Sequence, residues 1–251
     1  MISEKRKNYL FLLPHQDDEV FFAPLLIDLQ RKKNVDIEVL FLTSGGPIRK
    51  RESENYLRRI CGISSEKVKF LGDLNAWEDG KLHLSFRDLM EELARSYSLE
   101  KNITFVSPTL EGGHQDHDTT FFAVRTHLES NTSSSMFYCG SLYRAVSKKW
   151  PLFWVLCPPA VNKKVNTIKV DLGFIDRIRI LWGIRLFPSQ WRSWAGLFLP
   201  SLIMICFSRQ FIYANGLEVE NSEVPNNGKI LYSLRKVSTF EEVTNAIKST
   251  R

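Results

Sequence analysis

The strongest constraint on this chain is a rhythm in its first half. Short, mainly apolar runs at residues 9–13, 37–43, 68–71 and 103–107, the first of them unbroken, are separated by stretches with helical spacing. As a set they are too apolar to read as strands with one wet face. Strands apolar on both sides belong in a parallel sheet whose two faces are covered by helices. The covering helices are expected at 20–31, about 49–61, 86–97 and 118–129. Phe21, Leu25, Leu26 and Leu29 share one side of the first, and Gly62 stops the second. The fold class is therefore α/β, a doubly wound and mostly parallel sheet.

Past residue 130 the rhythm loosens. Strands are expected at 136–139, 152–156, 167–170, 210–213 and 230–234, with a helix at 173–186. No repeat or linker interrupts the sequence, so one domain over 1–251 is expected, with its core at 8–130 and an elaborated 131–251. The four cysteines, Cys61, Cys139, Cys157 and Cys206, lie far apart, which argues against a zinc knuckle or disulfide scaffold and suits a reducing, cytoplasmic setting. Residues 1–7 lack a signal-peptide apolar region. The excess of 34 Lys+Arg over 28 Asp+Glu is spread over short clusters at element ends. Nucleic-acid binding wants a denser basic stripe with aromatics interleaved, so it is not expected.

Two segments carry the chemistry. Pro14-His15-Gln16-Asp17-Asp18-Glu19 follows the first strand, and Gly112-Gly113-His114-Gln115-Asp116-His117 follows the fourth. With strand order 3-2-1-4 these strands are neighbours at the topological switch point, where ligands bind at the carboxyl ends. Segments a hundred residues apart then meet in one crevice. His15, Asp18 and His117 make a two-histidine, one-carboxylate set that leaves an open position on a catalytic zinc. Asp17, next to a ligand, is placed as general base for a metal-activated water. His114 is placed to stabilise an oxyanion or protonate a leaving amine, with Asp116 fixing its tautomer.

These residues resemble the PIG-L/LmbE-like zinc-dependent N-deacetylases, whose hallmarks are H-x-D-D after strand 1 and H-x-D-H after a later strand. They stand here as His15-Gln16-Asp17-Asp18 and His114-Gln115-Asp116-His117. The resemblance is clear over about 8–130, with weaker echoes to about 215. It implies a Rossmann-like fold and removal of an acyl group, usually acetyl, from an amino sugar or sugar conjugate. It also implies Zn2+ on His15, Asp18 and His117, with Fe2+ as the alternative ion. Arg51-x-x-Glu54 is similar to the family's R-x-x-E, Thr43-Ser44-Gly45 to its T-x-G turn, and Phe187-Pro188-Ser189-Gln190 to its late Ser-Gln segment. Asp79, in a loop beginning at Gly72, resembles its sugar-binding aspartate, so Arg51 and Asp79 are expected to touch substrate. Two positions depart from the family: Gln16 replaces the usual proline, which is expected to loosen the first loop, and Gly46 replaces a glutamate.

The expected function is hydrolysis of an N-acetyl group on an amino sugar, a glycan or a lipid-linked precursor. Two other readings remain at this stage. A non-haem iron oxygenase uses the same donor set, commonly on a jelly roll, and a non-catalytic sugar-binding relative would keep the site as a relic. Arg177, Arg179, Arg185 and Arg192 alternate with Trp182, Trp191, Trp194 and aliphatic residues, followed by an uncharged window at 193–208 broken by Pro200. That window is too short to span a bilayer. It is either a helix packed on the sheet or a peripheral membrane contact.

Overall fold

The computed structural model of the chain describes residues 6–97, 102–130, 135–144, 154–155, 165–219, 225 and 230–249. The first half runs β1 (Lys7–Leu13), α1 (Glu19–Gln30), β2 (Val35–Phe41), α2 (Gly46–Tyr56), β3 (Val68–Phe70), a short α3 (Leu71–Asn75), α4 (Phe86–Tyr97), β4 (Ile103–Pro108) and α5 (Gln115–Ser130). Parallel pairing of β1 with both β2 and β4, and of β2 with β3, produces the expected order 3-2-1-4. β5 (Met136–Gly140) joins β4 in parallel. There follow β6 (Tyr143–Arg144) paired with β7 (Trp154–Val155), then β8 (Thr167–Val170), α6 (Phe174–Gly183), α7 (Trp191–Phe207) and β9 (Phe211–Asn215). β9 and β8 extend the sheet with antiparallel pairings, to the full order β3-β2-β1-β4-β5-β9-β8. The described chain ends with α8 (Leu231–Leu234) and α9 (Phe240–Lys248).

The lack of alternation in β1 has a direct cause. Phe11 and Leu13 enter one core with α1 and α6, whereas Leu10 and Leu12 enter the other with α4, α5 and α9. A period of two still sorts the side chains, but both faces are dry. Helix α4 shows the complementary pattern, burying Phe86, Leu89 and Leu93 at spacings of three and four against a solvated opposite face.

Three expectations need correction, and a fourth falls largely outside the described residues. Helix α5 begins at Gln115 rather than 118, so Asp116 and His117 sit in its first turn, where acidic residues suit the helix N-terminus. The run at 230–234 forms α8 instead of a strand, because Leu231 N–H donates to Gly112 O and the following amides close helical turns. A short apolar run cannot by itself separate the two states. Pro200 lies inside α7 without ending it. Of the strand expected at 152–156, only 154–155 falls within the described residues.

Gly72 marks the tightest backbone approach near the site. A Cβ there would stand 2.2 Å from the carbonyl carbon of Thr43 and 2.6 Å from Ser44 N. Backbone on both sides leaves nothing to rotate away. Gly72→Ala is therefore expected to destabilise the fold by ~3 kcal/mol, the upper range for overpacking. A denaturant midpoint within error of the parent would show that the turn yields.

Candidate functional site

The two chemical segments leave adjacent strand ends and are held there by their neighbours. Thr43, just past β2, donates to Pro14 O through both N–H (2.9 Å) and Oγ1 (2.7 Å). Gln16 is fully buried and donates from Nε2 to Thr43 O at 2.9 Å. The residue expected to loosen this loop ties it to the next one. On the other side, the Asp118 carboxylate gathers the amides of Glu111 (3.0 Å) and Gly112 (3.1 Å) on one oxygen, and the Tyr232 hydroxyl (3.0 Å) on the other.

His15, Asp18 and His117 converge. Asp18 lies between the imidazoles, Oδ2 at 3.2 Å from His15 Nδ1 and Oδ1 at 3.3 Å from His117 Nε2. All three residues are buried. His117 Nδ1 lies 2.8 Å from Glu111 Oε1, which turns Nε2 toward Asp18. Glu111 is itself fixed through Oε2 by Leu142 N–H at 2.8 Å. Among the described residues, two donor groups are compact enough to share an ion, each with all atoms within 4.8 Å: His15, His114 and His117, and His15, Asp79, His114 and Asp116. Asp18 abuts the first through both its ion pairs.

Asp116 hydrogen-bonds to His114 through its backbone and not through its side chain. Its carboxylate pairs with His15 Nε2 at 3.0 Å and accepts from the amides of Gly80 (2.6 Å) and Leu82 (3.0 Å). It is the backbone N–H of Asp116 that donates to His114 Nδ1, at 3.2 Å. An Nδ1 that accepts leaves the proton of a neutral ring on Nε2. His114 is neutral at pH 7: burial, with His15 and His117 close by, pushes its pKa down to about 3. It is a hydrogen-bond donor, not a cation.

The charges elsewhere follow from burial and pairing. Burial opposes ionisation of Asp18, but His117 and His15 outweigh it and hold the carboxyl well below the usual range. Burial likewise works against a charged His117, yet Asp18 and Glu111 raise it to about 9. Asp17 is pushed up to about 7 by burial and by Asp18, against the pull of Arg49 and His15. Its backbone is strained, with φ of 132°, a conformation rare outside glycine. The Asp17 N–H donates to Glu19 Oε2 at 2.8 Å. Glu19 is fully buried, and that burial raises it to about 8.

Above this cluster opens a cavity of about 420 Å³. His15, Asp17, His114, Arg49 and Asp79 form its floor and one side, while Gln190, Arg192, Ser193, Gly196 and Leu197 of the α7 region, with Leu231 and Arg235, form the rest. Asp79 is in the cavity wall, Oδ1 3.3 Å from His15 Nε2 and Oδ2 accepting from Arg49 Nη1 at 3.0 Å. Arg51 is not: it is exposed, outside the cavity, and its Nε donates to Pro47 O at 3.1 Å. The overlapping pair Arg49-x-x-Glu52 has the same spacing and does face inward. Arg49 Nη2 reaches Gln16 O (2.9 Å) and stands 3.6 Å from Asp17 Oδ1. Glu52 takes Ser189 N–H at 2.9 Å and Ser189 Oγ at 2.5 Å, joining α2 to the segment that leads into α7. Arg49, Glu52, Glu19 and Glu111 were all missed from sequence. A charged residue flanked by glycine or apolar neighbours was the available signal for Glu111.

The donors fit a divalent ion. Asp18 Oδ1 is buried and makes no hydrogen bond, facing an imidazole nitrogen across 3.3 Å. A buried carboxylate between two imidazole nitrogens, with an oxygen that no hydrogen bond occupies, is a donor set suited to a divalent cation.

Comparison with known proteins agrees with this arrangement. No curated protein sequence matches the chain. In overall structure it is similar to the zinc-inhibited form of the teicoplanin deacetylase Orf2, with a TM-score of 0.56 at 11% identity over 79% of this chain and 90% of that one. It is also similar to the A40926 pseudoaglycone deacetylase Dbv21, with a TM-score of 0.55 at 14% identity over 87% of this chain and 100% of that one. Likeness at such identity is a statement about the fold. Residues 10–128 match the family described as PIG-L, GlcNAc-PI de-N-acetylase. That stretch, just under half of the chain, holds both histidine–aspartate segments and most of the run from β1 to α5 that brings them together.

Proposed function

We propose that this protein is a metal-dependent N-deacetylase that hydrolyses the acetamide of an N-acetylated amino sugar, free or in a conjugate. The observation that carries the reading is Asp18 wedged between His15 and His117, directly beneath a cavity floored by Asp17 and His114. His15, Asp18 and His117 would hold the ion, and Zn2+ suits two imidazoles and a carboxylate best, with Fe2+ the alternative. When bound, such an ion supplies Lewis-acid polarisation of the carbonyl and makes water acidic enough to react near neutral pH.

The chain's own residues do the rest. Asp17 takes a proton from the attacking water, and a carboxyl whose pKa sits near 7 can return that proton to the departing nitrogen. The carbon–nitrogen bond breaks, leaving acetate and a free amine. His114 donates from Nε2 to the carbonyl oxygen as charge collects there, a pre-positioned neutral donor. Arg49 holds both Asp17 and Asp79, and Asp79 stands at the cavity side to accept hydroxyl hydrogen bonds from a sugar. Glu111 orients His117, and Asp116 orients His15 while clamping the loop at 80–82.

The parallel α/β sheet supports hydrolysis over the oxygenase alternative, and the full set of competent side chains supports catalysis over a relic. Cys61, Cys139 and Cys206 are free thiols, in keeping with a cytoplasmic setting. The test is mass spectrometry for loss of one acetyl group across a panel of N-acetylated sugars and glycoconjugates, with elemental analysis of the same preparation. Bound zinc and acetate release from at least one sugar are expected. A metal-loaded preparation that deacetylates none of them would end the reading.

A further inference from the structure

We propose that the outer face formed by α6 and α7 docks this protein onto an anionic phospholipid surface, with the catalytic cavity opening beside the contact. The face is apolar and open to solvent. Phe174, Ile175 and Trp182 of α6 are 75%, 80% and 61% exposed, and Trp191, Leu199 and Phe207 of α7 are 64%, 53% and 80% exposed. Within α6 the spacing 174, 178, 182 and within α7 the spacing 191, 198, 199, 203, 207 put these residues on one side of each helix. Between the helices lies a groove of about 720 Å³ floored by Leu181, Trp194 and Leu202. A continuous apolar surface of this extent on a single chain marks a contact site.

Charge selects the occupant. From residue 174 to 209 the sequence holds five arginines, of which Arg177 is buried and the other four are exposed, and one acid, Asp176. That acid is buried and accepts two hydrogen bonds from Arg31, at 2.8 and 2.6 Å, so it does not offset the arginines at the surface. Arg185 and Arg192 stack on the rings of Trp182 and Trp191, their guanidinium carbons 3.9 and 5.7 Å from the ring centres. Each such pair presents an apolar ring beneath a cation, the arrangement suited to the boundary between acyl chains and phosphate headgroups. A second copy of this chain would bring arginine against arginine. Among the described residues no helix is long and apolar enough to cross a membrane, so contact would be along the surface.

Position adds the third argument. Trp191, Ala195 and Phe198 line the groove, while Arg192, Ser193, Gly196 and Leu197 line the catalytic cavity. One helix is the partition between the two. A surface-bound protein would hold its cavity mouth at headgroup level. The purpose of docking rests on the deacetylase reading; the binding itself does not.

Sedimentation of the full chain with phosphatidylcholine vesicles, with and without phosphatidylglycerol, tests this directly. Binding is expected only with the anionic lipid, weakening at high salt, with a blue shift in tryptophan emission. Arg179→Gln and Arg185→Gln should each lower the partition coefficient roughly fivefold, and Trp182→Ala roughly tenfold or more. Leu84→Ala, which removes an exposed apolar residue elsewhere, should change nothing. Equal binding to neutral vesicles, or unaltered binding of the arginine variants, overturns the charge assignment and the proposal with it. A self-associated species that shields Trp182 in solution overturns it in favour of an interface between copies. Metal content and hydrolysis of a water-soluble sugar are read on the same preparation. Failure to bind vesicles by an active enzyme removes only the docking, and vesicle binding by a metal-loaded but inactive protein removes only the deacetylase reading.

Discussion

Asp17→Asn is expected to lower deacetylation by ~10²–10⁴-fold, the usual contribution of a positioned acid–base group, while leaving bound metal unchanged. Asparagine keeps the shape of the side chain, so the φ of 132° at this position strains it no more than it strains the native aspartate. The amide cannot accept the proton. The proposed ligands His15, Asp18 and His117 keep their own supports in Asp116, the His15 amide and Glu111, so metal stoichiometry should hold. Turnover equal to the parent's would remove Asp17 as the base. Asp17→Gly separates chemistry from strain. Glycine adopts positive φ freely, and relief of a strained residue is worth ~1–3 kcal/mol. This variant should be inactive yet melt at a higher temperature than the parent. A lower melting temperature would mean the side chain's contact with Arg49 outweighs the strain.

The metal-free protein should lose stability as pH rises from about 6.5 to 9, the opposite of what its many carboxylates suggest. In the fold Asp17 and Asp118 are pushed up to about 7 and Glu19 to about 8, chiefly by burial, and His117 to about 9 by its two carboxylate neighbours. In the unfolded chain the acids release their protons near ~4 and histidine near ~6.5. Between those values and the folded ones the native state holds more protons than the unfolded state, so stability falls as pH rises. Asp18, Asp79 and Asp116, held low by imidazoles, act the other way, and their contribution disappears only on acidification below ~4. His114, His83 and His127, lowered chiefly by burial, also act the other way, and they offset the decline below ~6.5. Metal binding favours deprotonated donors, so the stabilisation it adds should grow over the same range. Thermal midpoints from pH 5 to 9, with chelator and with Zn2+, should diverge as pH increases. A chelated protein that grows more stable toward pH 9 contradicts the assigned proton positions.

The sheet could be read in advance because its central strands are dry on both faces, a condition that leaves a continuous apolar run such as Phe11-Leu12-Leu13. The meeting of His15 with His117 could be read because parallel order puts the ends of β1 and β4 side by side. Less was legible where two side chains share one spacing. Arg49-x-x-Glu52 and Arg51-x-x-Glu54 are identical as patterns, and only the start of α2 at Gly46, which buries Glu52, Ser53 and Tyr56 on one face, chooses between them. Hydrogen-bond partners were least legible. Asp116 lies two residues from His114 in sequence, yet its carboxylate turns to His15 and to the amides of Gly80 and Leu82, because α5 begins early enough to direct it there. The helical turn of α8 was hidden for a related reason: its anchors, Gly112 O and the Asp118 carboxylate, lie over a hundred residues upstream.

Helix α7 separates two tasks along the chain. Every group assigned to bond cleavage precedes Ser130, whereas much of what a bound molecule would meet beyond the reacting amide comes after Phe187. Exchange of the segment carrying α6 and α7 among related folds would then swap the recognised molecule while the cutting centre stayed intact. Relatives built on this plan can diversify by replacing a single partition, and a designer seeking a new specificity has one contiguous cassette to graft.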